Sequence, residues 1–496
     1  MATKPKPIKS KLTLKSESIL LEEIELGLFT ENALRTYGEE VNLNRSVPDY
    51  RDGLKPVQRR ILWSMHTMPA NQLIKTARVI GDVLGKYHPH AQAGVVGAVS
   101  TLVVSATTPI EGVGNWGSII DPPGADRYTN VLFSEYGKTF FQKNYLSISP
   151  LVLNYDGKDK EPLLLPATLP NLLLNGAEGI GLGLNTRIPA FTPESLLPVL
   201  AEIAEGKELK SSAIAKRLVL YHQYGGQPVK SADNTKRLQQ LLDTPQSSTL
   251  WESPFEVDRD KKQLTISNFA PEVNPIKLIE DKIKPLPEVS SVHSGKGVSY
   301  IVQFRKDLNF NDMDKAIAKI KKFTSSTISY QIYVTSRKLS KHDSSKFETK
   351  FSNLPLMKLM QLWVRYRIDL EKRSLENQKR QAEEQLLHLK LLIRACDSLD
   401  IIFKALRQSD PKAYLIKAMK LEDSEAEIIL NLRVKQLSKL DQDKLNEEVK
   451  EVNIKIKNLI LLLKNPAKVV SEFLSAHAER FVLEKHDCST QHVLKK

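Results

Sequence analysis

The chain has 496 residues and a formal charge of +14, with 41% hydrophobic and 26% charged residues. A single core rarely grows past about 250–300 residues, so this length predicts two to four domains. No window approaches the roughly 18 apolar residues of a membrane span, which excludes a helical membrane protein as a sequence reading. The two cysteines, Cys396 and Cys488, lack any CxxC or Cys/His spacing, which argues for a reducing compartment and against structural zinc. The positive charge points to a polyanionic partner, nucleic acid before membrane.

The N-terminal MATKPKPIKSKLTLKSES is basic and has no signal-peptide apolar run, so it is expected to be a flexible arm on a cytoplasmic protein. From about 31 to 170, short helical patterns alternate with Gly/Pro loops. NRSVPDYRDGLKPVQRRILWSM (44–65) packs Arg45, Arg51, Lys55, Arg59 and Arg60 into sixteen positions, a density suited to phosphate contacts. In NQLIKTARVIGDVLG (71–85), Leu73, Ala77, Ile80 and Leu84 fall at helical spacing; GKYHPH interrupts, and QAGVVGAVSTLVV resumes a mostly apolar helix. The pattern is helix, turn, helix, with a longer turn than usual. Lys86, His88 and His90 occupy that turn. A metal there would lack a third ligand and sit in positive charge, so phosphate hydrogen bonding is the better reading.

DPPGADRYTN (121–130) sets Arg127 beside Tyr128 in a stretch too rich in Pro and Gly for a helix or strand interior. A phenol titrates at about 10, so its attack on phosphorus near neutral pH needs cationic neighbours that favour the phenolate and the charged transition state. Arg127 and the basic cluster supply such cations.

Residues 171 to about 350 read as α/β, with strands at LTISNF (264–269), VSYIVQF (298–304) and STISYQIYV (326–334). NGAEGIGLGLNT (175–186) is Gly-rich but fits neither GxGxxG nor a Walker A pattern, and no GxxxxGK[ST] occurs in the chain, so a nucleotide site is not expected. The DMD of 312–314 reads as the polar start of a helix. From about 355, Leu375, Ala382, Leu389 and Cys396 recur every seven residues, with Leu386 and Ile393 between them. Later Leu445, Val449, Val452, Ile456, Leu459 and Leu463 alternate steps of four and three. Two such arms predict an antiparallel coiled coil folded back on itself around a small helical globule, a natural dimer contact.

In order, NRSVPDYRDGLKPVQRR, ARVIGDVLGKYHPH, GVGNWGSI, ADRYTN and NYDGKDKEPLLLPATLPNLLLNGAEGIGLGLNT closely resemble the breakage-reunion subunit of type IIA DNA topoisomerases, the gyrase A and topoisomerase IV A family. The likeness runs from about residue 31 through LNLRVKQLSKLDQDKL. It implies a multidomain α+β fold: a basic flexible arm (1–30), a winged-helix DNA cleavage domain (31–170), a tower domain (171–350), a coiled coil with a C-terminal dimer gate (351–480) and a tail (481–496). By residue matches, Tyr128 resembles the nucleophile that forms a transient 5′-phosphotyrosine. Arg127 and Arg45 match arginines at the scissile phosphate. Lys55, Arg59, Arg60, Lys86, His88 and His90 match the DNA-binding stretch, and Ile180 matches an apolar wedge that enters a base step.

The resemblance also implies a homodimer on double-stranded DNA, joined by a B-type ATPase/TOPRIM partner in an A2B2 assembly. ATP and Mg²⁺ are expected on that partner, with no metal held by this chain. The expected setting is the cytoplasm, at the nucleoid, or the host cytoplasm for a viral enzyme. Absence of the family's DNA-wrapping pinwheel from this sequence points to relaxation or decatenation, and the short form is similar to phage-type enzymes. Two departures stand out. Gln58 replaces the usual His after KPV, and AQAGVVG follows HPH, with Ala93 and Gly97 at the family's Ser and acidic positions. Those positions anchor the water and magnesium bridge of quinolones, so the departures imply quinolone insensitivity. A DNA-bridging coiled-coil protein without catalysis is the alternative; it accounts for the charge and heptads but not for the Arg127–Tyr128 pair.

Overall fold

The computed structural model describes residues 11–14, 17–20, 25–69, 72–105, 107–223, 225–295, 297–339, 347–431 and 442–478. The tail from 481, with Cys488, and most of LNLRVKQLSKLDQDKL lie outside the described residues. The architecture is mixed α and β. Among the described residues no helix is long and apolar enough to cross a membrane.

Within the expected flexible arm, β1 (Lys11–Leu14) and β2 (Glu17–Leu20) pair antiparallel. That pairing was not suggested by composition alone. Helix α1 (Leu26–Val41) follows and runs into a single π-helical turn, Asn42–Ser46. Helix α2 (Pro56–Thr67) starts where Pro fits the first turn, and its Gln58 side-chain Oε1 accepts from Lys55 N at 3.0 Å, capping the helix start. The expected helix at 71–85 begins later. Ile74–Lys75 is a short strand, β3, and α3 spans Thr76–Lys86. Ile74 pairs with Val131, so sheet pairing overrides the helical spacing of Leu73. Helix α4 (Gln92–Val104) completes the helix, turn, helix unit, and β3 joins β4 (Ile110–Val113) and β5 (Asn130–Phe133) in a sheet ordered β3-β5-β4.

Among the described residues, the region 171–350 holds two larger sheets beside shorter two-stranded ones. A five-stranded antiparallel sheet runs in the order Gln227–Pro228, Gln246–Glu252, Ser326–Gln331, Asn185–Ile188, Ala177–Ile180. A four-stranded antiparallel sheet joins Phe255–Asp258, Gln263–Ser267, Ser299–Phe304 and Val289–Ser294. The latter has its own core, with Leu264, Ile266, Val302 and Phe304 packed on Met313, Ala316 and Ile320 of the Phe310–Phe323 helix. That helix is capped by Asn309, whose Oδ1 accepts from Asp312 N at 2.8 Å. STISYQIYV divides at Ile332 into Ser326–Gln331 and Tyr333–Leu339, and the second piece pairs with Phe347–Asn353 instead. The largest core runs from Leu54 through Leu172, Trp251 and Trp363 to Leu474. It crosses the expected boundary at 170/171, taking in Ile80 and Leu102 of the helix unit together with Leu172, Trp251 and Ile328 beyond it.

The Leu356–Asp397 helix is rooted in that core by Leu359, Trp363 and Leu370, then leaves it. Beyond the root, Leu375, Ala382 and Leu389 pack with Leu445, Val452 and Leu459 of the Gln442–Leu463 helix, and Leu386, Ile393, Cys396, Val449, Ile456 and Leu463 flank them. Every heptad position read from the sequence is in this one cluster. A small helical cluster, Leu399–Ala405, Pro411–Met419 and Asp423–Leu430, packs around Leu415, Ala426 and Ile429 at the far end. Leu389→Ala is expected to cost about 2–5 kcal/mol of local stability. Urea unfolding followed by helical circular dichroism should show the lowered midpoint, while Ile454→Ala, at 58% exposed, should leave it in place.

Candidate active site

Tyr128 ends a 3₁₀ turn, Asp126–Tyr128, immediately before β5. Neighbouring helix starts hold the turn from both sides. Thr129 O accepts from Thr76 N at 3.1 Å and its Oγ1 bonds Thr76 Oγ1 at 2.9 Å, while Gln92 Nε2 donates to Asp126 Oδ2 at 2.9 Å. The Tyr128 side chain is 68% exposed, and the Arg127 guanidinium carbon lies 4.7 Å from its ring centroid. Tyr136 offers the contrast: its hydroxyl donates to Asn171 Oδ1 at 2.9 Å and burial pushes its pKa far up. A nucleophilic phenol must be reachable and beside positive charge, and of these two tyrosines Tyr128 meets both conditions.

Arg45 lies on the π-helical turn, a type of irregularity frequent at functional sites. The turn is held on one side by the Tyr333–Leu339 strand: Arg337 Nη2 donates to Leu43 O at 2.9 Å, and Tyr50 N donates to Thr335 O at 3.1 Å. Arg45 is exposed and makes no hydrogen bond or ion pair among the described residues. Arg45, Lys55 and Ile180 line one cleft with Gly94, Ala98 and Thr101 of α4. Ile180 is 84% exposed within the Gly-rich run. It ends the Ala177–Ile180 strand of a hairpin whose other arm is Asn185–Ile188. The small residues at 179, 181 and 183 allow that tight return.

The basic stretch is less uniform than its density suggested. Arg59, expected at the DNA backbone, is only 3% exposed, with Nε at 2.6 Å from Asp52 Oδ2 and Nη2 at 3.0 Å from Oδ1. Buried and paired, it cannot reach a phosphate here. It falls on the α2 face of Leu62 and Met65, so helix geometry turns it inward while Arg60, one residue on, points elsewhere. Arg60 forks onto Glu161 at 2.6 and 2.8 Å and donates to His88 Nδ1 at 3.0 Å. Arg51 is paired with Asp49, Lys86 with Asp82 at 2.7 Å, and Lys55 Nζ donates to Glu178 O. Burial pushes the Lys55 pKa down. Among the described residues no contact links Tyr128 or Arg127 to Arg45, Lys55, Arg60 or His88, so the two groups are separate within one chain. No group of three or more His, Cys, Asp or Glu that could hold a metal ion occurs among the described residues.

The family of DNA gyrase and topoisomerase IV A subunits matches residues 45–476. The chain belongs to this family. It is 28% identical over 458 residues to the A subunit of DNA topoisomerase 4 from Neisseria gonorrhoeae, covering 86% of this chain and 59% of that protein. It is 30% identical over 484 residues to the corresponding protein of Pseudomonas aeruginosa (93% and 62%), and 27% identical over 460 residues to the A subunit of DNA gyrase from Clostridium acetobutylicum (88% and 53%). The chain thus spans between half and two thirds of the length of these gyrase and topoisomerase relatives. The family match covers every candidate site residue.

Sequence reasoning missed Asp52, Glu161, Asn42 and Ser46. Asp52 and Glu161 fix Arg59 and Arg60, and neither pairing follows a local spacing; Glu161 lies about a hundred residues from its arginine. His88 and His90 stack at 4.2 Å between ring centroids. Burial first, then the positive charges of Arg60, His90 and Arg45, push the His88 pKa down to about 4. Neutral His88 accepts Arg60 at Nδ1 and keeps Nε2–H to donate. Between about pH 4 and the unperturbed 6.5 the unfolded chain binds more protons at His88 than the folded one, so stability falls with acidification through that window. An NMR titration should place the His88 midpoint near 4, with His88 uncharged at pH 6; a midpoint near 6.5 would contradict the Arg60 contact.

Proposed function

We propose that the chain is the DNA-cleaving and religating component of an ATP-dependent type II topoisomerase that relaxes or decatenates DNA by passing one duplex through another. Tyr128 Oη attacks a backbone phosphorus; the P–O3′ bond breaks, the phenolic proton is lost and the departing 3′ oxygen takes one up. The strand is left with a 5′-phosphotyrosine. Because one phosphodiester replaces another, reversal reseals the strand without an external energy source. Arg127 stands beside the nucleophile, and Arg45 is the second cation for the scissile phosphate; both are permanently charged with fork-like donors suited to phosphoryl oxygens.

The observation that carries this reading is the exposed Tyr128 phenol under the Arg127 guanidinium, on a chain whose family match includes it. DNA backbone contacts are assigned to Lys55, Arg60, Lys86, His88 and His90, and the base-step wedge to Ile180. Arg59 becomes a support for that surface. Magnesium and ATP are assigned to a B-type ATPase/TOPRIM partner, in an A2B2 assembly around a homodimer of this chain. The helix, turn, helix unit then serves as the winged-helix cleavage domain, the five- and four-stranded sheets of 171–350 as the tower, and the helical hairpin with its distal cluster as the dimer gate.

With the ATPase/TOPRIM partner, supercoiled plasmid and Mg²⁺, stopping the reaction with SDS should yield linear DNA carrying protein on its 5′ ends. Tyr128→Phe should abolish that product and leave plasmid binding within about twofold; equal adduct from both forms would remove Tyr128 from the reaction, and none from either would favour DNA bridging. In the same assay, low quinolone concentrations should not stabilise cleaved complexes. Ala93 and Gly97 are exposed on α4, and a Cβ at Gly97 would meet nothing within 4 Å. Ala93→Ser with Gly97→Asp should therefore fold normally and gain drug-stabilised cleavage.

A further inference from the structure

The strand that ends in Ile180 is the outer edge of the five-stranded sheet, and an edge leaves a row of backbone groups unpaired. Alternate residues of a strand point their carbonyls the same way. Those of Glu178 and Ile180, and that of Leu182 in the turn that follows, are each taken by a side chain from the stretch around Arg45. Lys55 Nζ donates to Glu178 O, Ser46 Oγ to Ile180 O at 2.8 Å, and Asn42 Nδ2 to Leu182 O at 3.0 Å. Asn42 grips in both directions, since its Oδ1 accepts from Leu182 N at 2.9 Å. The glycines make this approach possible: a Cβ on Gly181 would collide with Asn42 Oδ1, and one on Gly179 with Ser46 O. The Gly-rich run that fits no nucleotide motif thus serves to seat one backbone against another.

We propose that Asn42 and Ser46 are positioning residues that couple the wedge to the cleavage centre. Asn42 and Ser46 begin and end the π-helical turn, with Arg45 between them. An apolar side chain entering a base step works against unstacking, and a two-stranded hairpin alone resists such a load poorly. Asn42 and Ser46 carry that load into the turn, so Arg45 takes its position at the phosphate as Ile180 seats in the bent DNA. This proposal rests on the roles given to Arg45 and Ile180 above.

The test uses the chain with its ATPase/TOPRIM partner on a short duplex carrying a dye at each end. Energy transfer reports bending, SDS-trapped adduct reports cleavage, and thermal unfolding reports fold. Asn42→Ala should lower bent fraction and adduct together, each about threefold to tenfold, with Ser46→Ala weaker in the same direction. In an Ile180→Ala background Asn42→Ala should have no further effect on adduct, the signature of action through the wedge. Gly181→Ala should also impair bending, and adding Asn42→Ala should recover part of it by making room for the methyl; general destabilisation would not produce that recovery. The coupling is overturned, and the site reading kept, by an Asn42→Ala enzyme that bends and cleaves normally while Ile180→Ala loses bending and Arg45→Ala loses cleavage. Normal bending by Ile180→Ala together with normal cleavage by Arg45→Ala would remove the site reading and the coupling with it.

Discussion

The Asp52 carboxylate is the knot on which the candidate site depends. It is fully buried and accepts four hydrogen bonds, from Arg59 Nε and Nη2, Leu54 N at 3.0 Å and Leu165 N at 3.1 Å. Its own backbone oxygen accepts from Asn171 Nδ2 at 3.0 Å. These bonds tie the turn before α2, α2 itself and the segment leading to the Ile180 hairpin into one piece. The turn needs Gly53, whose φ of +67° lies in the left-handed region and whose missing Cβ would strike Leu172 N. Breaking a buried ion pair of this kind typically costs about 3–5 kcal/mol, because an unpaired charge remains inside.

Around that knot the charges divide by role. Arg59 and Arg51 are held by Asp52 and Asp49 and act as scaffold, while Arg60, forked onto Glu161 and bonded to His88, stays only half-buried. Arg45, Arg127 and His90 remain outward. Under the proposed function the paired arginines hold the backbone that carries the outward Arg45 and Arg127, and cations held in place lose less entropy on binding than flexible ones. The root of the coiled arms follows the same logic. Arg367 is buried, bonded to Thr168 O and Glu371, and sandwiched at 5.1 Å from both the Tyr145 and Phe473 rings. It anchors the Leu356–Asp397 helix to the main core.

Much of this was legible in the sequence where local periodicity or motif order carries the information. The heptad run from Leu375 to Leu463 and the ordered pieces around Tyr128 are of that kind. What was not legible depends on pairing that no local spacing encodes. Arg59 and Arg60 are adjacent and alike in sequence, yet about 100° apart on a helix, and only the partners Asp52 and Glu161 decide which is buried. The start of α3 was misplaced because β3 belongs to a strand more than fifty residues later. The hairpin at Ile180 and its grip by Asn42 were invisible for the same reason: glycine spacing shows that something approaches closely, but not what.

In the proposed reaction Tyr128, and no other side chain, forms the covalent bond to DNA. The most direct measurement isolates the SDS-trapped adduct, trims the DNA with nuclease and locates the remaining nucleotide by mass spectrometry in the tryptic peptide ending at Lys138, which holds both Tyr128 and Tyr136. The expected product is a 5′-nucleotide on Tyr128 with Tyr136 unmodified. A nucleotide on Tyr136, on another residue, or linked through its 3′ end would contradict it.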